Sequence, residues 1–105
     1  MNHVTVEEAQ TASDVVLGKF LVNSAPATVL FDSGATHSFV SRIFAAKHQL
    51  KVSSLKTALL VQTPGSELST NQGCPQVKVI IEGIEFLANL IIIDTKSLDV
   101  ILGMD

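Results

Sequence analysis

The chain has neither tryptophan nor tyrosine, and its five phenylalanines fall at apolar positions rather than in an exposed stacking pattern. It also lacks any run of one charge: seven basic residues stand against ten acidic ones, for a net charge of −3. Nucleic acid is not an expected partner, because phosphate neutralisation needs clustered Lys and Arg, and single-strand binding needs aromatic platforms. Only one cysteine is present, Cys74, which excludes an internal disulfide and fits a reducing intracellular space. Cys74 itself reads as a small apolar residue at a strand start.

Long apolar runs are missing too. The longest, Phe86 to Ile93, is interrupted by Asn89 and stops at Asp94, far short of the roughly 20 residues of a membrane helix. The N-terminus, with His3, Glu7 and Glu8, lacks the basic-then-apolar layout of a signal peptide. A cytoplasmic protein with no membrane contact is expected. His3, His37 and His48 are scattered, and neither a cysteine pair nor His-Glu-x-x-His occurs. No metal or other cofactor is expected.

What is present is apolar material enough for one core. At 105 residues and 47% hydrophobic content the chain makes one domain, and its mean hydropathy of +0.42 predicts that a partner covers some apolar surface. Residues 1–13 are polar and weakly patterned, an arm or an edge strand, and the domain proper is expected over 14–105. Val15 to Val22 and Thr28 to Phe31 read as a hairpin around Asn23-Ser24-Ala25-Pro26. Phe39, Val40, Ile43, Phe44, Ala46 and Leu50 recur at helical spacing, which predicts a helix over about 38–48 with Ser38 as N-cap. Lys56 to Gln62 and the weak, polar Leu68 to Gly73 form a hairpin around Thr63-Pro64-Gly65-Ser66, with little to bury and hence mobile. Val77 to Ile81 and Ile84 to Ile93 flank a tight Glu82-Gly83 turn. The second of these runs predicts a strand covered on both faces from Phe86 onward. A short last strand ends in Gly103. Asp94, Asp99 and Asp105 flank β runs and read as capping or solvated groups.

One residue does not fit this quiet pattern. Val29-Leu30-Phe31 leads straight into Asp32-Ser33-Gly34-Ala35-Thr36, which places a carboxylate at the end of a buried strand. Losing its hydration there costs several kcal/mol unless partners replace the water, so Asp32 is either well hydrogen-bonded or functional. The tripeptide alone is weak, since Asp-(Ser/Thr)-Gly arises by chance in about one chain of this length in twenty. Its setting adds weight: an apolar β run before, a small residue and a helix after, and a second element, Ile101-Leu102-Gly103, near the C-terminus.

With Leu30 to Phe39 and Asp99 to Asp105 as the most specific stretches, residues from about Asp14 onward resemble the retropepsin-like aspartic proteases, in particular the protease domains of Ty3/gypsy-type retrotransposon polyproteins. The resemblance implies a mostly β, closed barrel-like fold with one short helix after the Asp-Ser-Gly turn and a flap hairpin. It implies a homodimeric endopeptidase working on a polyprotein, with Asp32 catalytic, Ser33 bracing the turn against the partner subunit and Gly34 admitting the substrate backbone. Ser33 equally suits a hydroxyl that merely closes its own turn. Val61 to Thr70 would be the flap, with Thr63, Pro64, Gly65 and Ser66 at its tip, and Ile101, Leu102 and Gly103 the supporting strand. The particle of such an element would be its location. Many viral members carry acidic residues where this chain has Thr36 and His37. The family also continues past Met104-Asp105 into a helix, so further structure is expected C-terminal to Asp105.

Elementary chemistry adds a requirement. Peptide hydrolysis by carboxylates takes two of them with one proton shared, one drawing a proton from water and the other donating to the oxyanion. This chain has one such motif, so a second copy must supply the other Asp32 across a two-fold axis. Ala35 and Gly34 have too little bulk to obstruct the pair.

Other readings compete. A retropepsin-like fold kept as a noncatalytic dimerisation or peptide-binding module would share all these residues. The turn also resembles the phosphate loop of the actin and sugar-kinase superfamily, which needs two large lobes that 105 residues cannot supply. A serine hydrolase would need Gly-x-Ser-x-Gly, which is absent.

Overall fold

Two hairpins with two-residue turns set the frame. Strands β2 (Val16–Val22) and β3 (Ala25–Asp32) pair antiparallel with Val22 opposite Ala25, so Asn23 and Ser24 alone make the turn, both at positive φ. Glu82 and Gly83, at φ 50° and 80°, do the same between β6 (Ser66–Ile81) and β7 (Ile84–Ile93). Such left-handed pairs carry a twist that matches the strands they join. The computed structural model of the chain describes residues 2–5, 16–32, 35–63, 66–95 and 98–103. Of the expected N-terminal arm, Asn2–Thr5 form β1, at a sheet edge and parallel to β5 (Ser53–Thr63).

The remaining elements are β4 (Phe39–Ser41), α1 (Arg42–Lys47) and β8 (Val100–Gly103). Neighbours run β2, β3, β8, β4, β7, β6 and back to β2, which closes a ring, and β5 with β1 extends from the first half of β6. The mostly β, closed-barrel architecture, with one short helix among the described residues, is as expected. Its interior is filled by residues such as Val22, Val29, Val40, Phe44, Val79, Leu90, Ile92 and Val100. A second cluster, Leu30, Phe39, Leu59, Val61, Ile91 and Ile101, joins the barrel to the β5–β6 hairpin.

Four local expectations are corrected. Phe39 and Val40 are not helical. They pair in β4 with Ile91 and Ile92 on one side and with Ile101 and Val100 on the other. Neighbouring strands thus override a stripe that, taken alone, fits helical spacing. The helix starts only at Arg42, with Ser41 as its cap: Ser41 Oγ accepts from the Phe44 amide at 2.9 Å. Six residues cannot hold a helix alone, and burial of Phe44, about 2 kcal/mol or more, anchors it. Ser41→Ala should therefore cost about 1–2 kcal/mol, read as a lower urea midpoint with unchanged slope. An unmoved midpoint would mean that the cap carries no stability.

Leu68 to Gly73 and Val77 to Ile81 are not two strands but halves of β6. Pro75 sits in a bulge between Cys74 and Val77 where its missing N–H is no loss, and Gln76, at φ 57°, donates its amide to Asn89 Oδ1 at 3.0 Å. Cys74 lies inside this strand, and burial pushes its thiol up from the usual value. The β5–β6 hairpin, expected to bury little, has Leu59 and Val61 in the core, and Thr70 Oγ1 donates to the Ile92 carbonyl at 2.8 Å. Finally, β7 is buried only from Leu90 to Ile93, while Ile84 and Leu87 are 69% and 57% exposed. The apolar run extends beyond the barrel that covers its second half.

Candidate active site

Asp32 is the last residue of β3 and is 1% exposed. Its strand is held by pairing on both edges: β2 antiparallel on one side and β8 parallel on the other, with Phe31 beside Leu102 and Asp32 beside Gly103. The alternation that buries Leu30 carries Asp32 to the same side of the strand. Immediately afterwards the chain turns, the Ala35 amide donating to the Asp32 carbonyl at 3.1 Å. Ser33 and Gly34 lie outside the described residues. Ala35 is buried, Thr36 exposed and His37 half-buried, with Thr36 Oγ1 and His37 Nδ1 3.1 Å apart.

β8 lies between β3 and β4, although β3 and β4 are close in sequence and β8 comes from the far end of the chain. The connection from Asp32 to Phe39 must therefore cross the end of β8, and it does so over Gly103. A Cβ added there would meet the carbonyl oxygens of both Ala35, at 2.6 Å, and His37. Ser38 Oγ completes the crossing by accepting from the Gly103 amide at 3.2 Å, while the Ser38 carbonyl accepts from Ile91 N. Ser38, expected as a helix cap, instead ties the segment after Asp32 to β8 and β7. Ile101 and Leu102 are buried on opposite sides of β8, in the second cluster and the barrel core respectively.

Asp99, read from its flanking position as a capping or solvated group, does cap, but a backbone amide far away in the chain. Its Oδ2 accepts from the Thr28 amide at 2.8 Å, its own amide donates to the Thr28 carbonyl, and its carbonyl accepts from Ser41 N. It thereby starts β8 in register between β3 and β4, through a partner 71 positions away. Sequence spacing carries no trace of such a contact. Asp94 meets Arg42 Nε at 3.0 Å on the surface, where side chains 73% and 48% exposed add little.

Of the four expected flap-tip residues, Thr63 and Ser66 pair with one another across the hairpin, whereas Pro64 and Gly65 lie outside the described residues. Among the described residues no cluster of His, Cys, Asp or Glu suits a metal ion. Among the described residues the site thus offers one carboxylate, withdrawn from water at a strand end, with the amide of buried Ala35 bonded to its backbone carbonyl. One carboxylate can act as base or as acid, but not both at once.

The family described as retroviral aspartyl protease matches residues 1–105 of the chain. No curated protein matches it in sequence. Among solved structures, EIAV protease complexed with the inhibitor HBY-793 is similar, with a TM-score of 0.67 and 20% identity over 87% of this chain and 83% of that one. The retroviral protease-like domain of Ddi1 from Leishmania major is similar with a TM-score of 0.58 and 15% identity, over 88% of this chain and 74% of that one. At such identities the likeness is one of fold.

Proposed function

The chain belongs to the retroviral aspartyl protease family, and from that premise we propose that it is an aspartic endopeptidase that works as a homodimer, with one Asp32 from each copy. The carrying observation is the placement of Asp32: a carboxylate 1% exposed at the end of β3, beside Gly103 of β8, and within the chain's one Asp-Ser-Gly motif. Two such carboxylates about 3 Å apart repel by roughly 5 kcal/mol when both are ionised, taking an effective dielectric constant of about 20. That exceeds what ordinary surface solvation offsets, so the pair holds one proton between them. The ionised oxygen takes a proton from the attacking water, and the protonated one donates to the carbonyl oxygen of the scissile peptide as the tetrahedral adduct forms. In this reading Ser33 braces the turn, Gly34 leaves space for the substrate backbone, and residues 63–66 close over it.

The finer assignment is to a Ty3/gypsy-type retrotransposon polyprotein, cleaved inside the element's cytoplasmic particle. It draws on the stretches Leu30 to Phe39 and Asp99 to Asp105. A second reading, a noncatalytic dimerisation or peptide-binding module, draws on the similarity to a domain described as protease-like.

Sedimentation of the purified protein, run alongside cleavage of polyprotein-junction peptides, separates these readings. Activity per chain should rise with concentration in step with the dimer fraction and fall to background with a pepstatin-type inhibitor. Dimers that bind such peptides without cutting them would establish the module instead. Cleavage by a strict monomer, or cleavage indifferent to the inhibitor, would overturn the two-carboxylate assignment.

A further inference from the structure

A cavity of 540 Å³ opens between the loop after Asp32, the start of β5 and the middle of β7. Leu55, Leu59 and Leu90 make much of its wall apolar, and Lys56 and His37 stand among its lining residues. Among the described residues neither Asp nor Glu lines it. Among the described residues no carboxylate lies within ion-pair distance of Lys56. The His37 ring has its Nδ1 engaged with Thr36 Oγ1, which leaves Nε2 as the nitrogen for a ligand. Apolar walls with an unmatched ammonium and an imidazole suit a side chain with a short aliphatic stem and a carboxylate head.

The cavity is not where bond cleavage would occur, since Asp32 does not line it. Asp32 in β3 pairs with Gly103 in β8, and β8 is followed by β4, at whose start Ser38 enters the cavity wall. Two inter-strand steps amount to about 10 Å, or roughly three residues of extended peptide. We infer that this cavity is a specificity subsite that selects an acidic substrate side chain, glutamate first, about three residues from the scissile bond. In a two-fold dimer it occurs on both sides of that bond. The inference rests on the proposed protease reading.

The test uses a peptide panel with Glu, Gln, Leu or Lys at each position flanking a cleaved junction, read as kcat/KM. A matching panel with a noncleavable isostere is read as Kd. Glu should be preferred over Gln by about three- to tenfold at one position per side, chiefly through KM, as expected for a partly exposed charge pair. The preference should shrink with added salt. Lys56→Glu should turn it toward Lys, while Lys56→Arg should keep it. Normal cleavage without an acidic preference at any position, or a preference that Lys56→Glu leaves intact, overturns the subsite and spares the protease reading. Preferential binding of the Glu isostere by protein that never cleaves does the reverse.

Discussion

Asp32→Asn should lower peptide cleavage by at least about a thousandfold, which is the scale of losing general acid–base catalysis and amounts to about 4 kcal/mol of barrier. The variant should nonetheless fold. Asn has nearly the same shape as the Asp32 side chain, which is 1% exposed in the single chain, and in the proposed dimer it replaces a pair carrying one buried charge by a neutral one. Dimer affinity should hold or improve, because that buried charge is gone. Circular dichroism and sedimentation check this half of the expectation, and product formation checks the other. Cleavage that survives in Asp32→Asn would remove Asp32 from the chemistry. Global unfolding of Asp32→Ala would make the carboxylate structural instead.

In the proposed dimer the same pair of carboxylates would set the sign of the pH dependence. Only the singly protonated pair has both a base and an acid, so the rate should fall on the alkaline side as the last proton leaves, and on the acid side as the second one arrives. On the alkaline side the doubly charged pair should also loosen the dimer. The loss there should therefore be partly recovered at higher protein concentration.

Gly103→Ala is the second large effect, and it comes from packing. Its new Cβ would be driven against two carbonyl oxygens, those of Ala35 and His37, and would lie 3.0 Å from the His37 carbonyl carbon. All three are backbone atoms of the loop that follows Asp32, so relief requires moving the loop itself. We expect a loss of about 2–3 kcal/mol in urea unfolding, at the upper end for overpacking, with greater loss for Val. Cleavage should fall further than stability accounts for, because the displaced segment leads directly out of Asp32. Gly83→Ala is the control. At Gly83 nothing lies within 4 Å of an added Cβ, and only its φ of 80° opposes the change, a cost of about 1 kcal/mol. A Gly103→Ala variant as stable as Gly83→Ala would show that the crossing loop yields freely.

Several elements were legible in residue order alone because their causes are local. Asn23-Ser24-Ala25-Pro26 and Glu82-Gly83 supply turn chemistry between β-rich runs, and both hairpins form there, although Asn23 and Ser24 alone make the first turn and Ala25 and Pro26 already belong to β3. Asp32 drew attention as a carboxylate at the end of an apolar strand, and it is buried there. Phe39 and Val40 misled for the opposite reason: their spacing with Ile43 and Phe44 suits a helix, yet β7 offers them strand partners 52 positions away and β8 partners 62 and 60 positions away. The exposure of Ile84 and Leu87 likewise depends on where the barrel ends, which no run of apolar residues reveals.

By itself, then, the order of residues determined the β character, the tight turns and the single Asp-Ser-Gly motif on which the proposed second copy rests. Those follow from backbone preference, hydrophobic content and the count of such motifs. The family resemblance already implied that the Asp-Ser-Gly turn and the Ile101-Leu102-Gly103 strand cross, but only the tertiary structure decided that β8 slips between β3 and β4 and that Ser38 and Asp99 fasten the crossing. Parallel pairing of distant strands comes from packing and backbone hydrogen bonds between segments some seventy residues apart, and neither leaves a periodic mark in the chain.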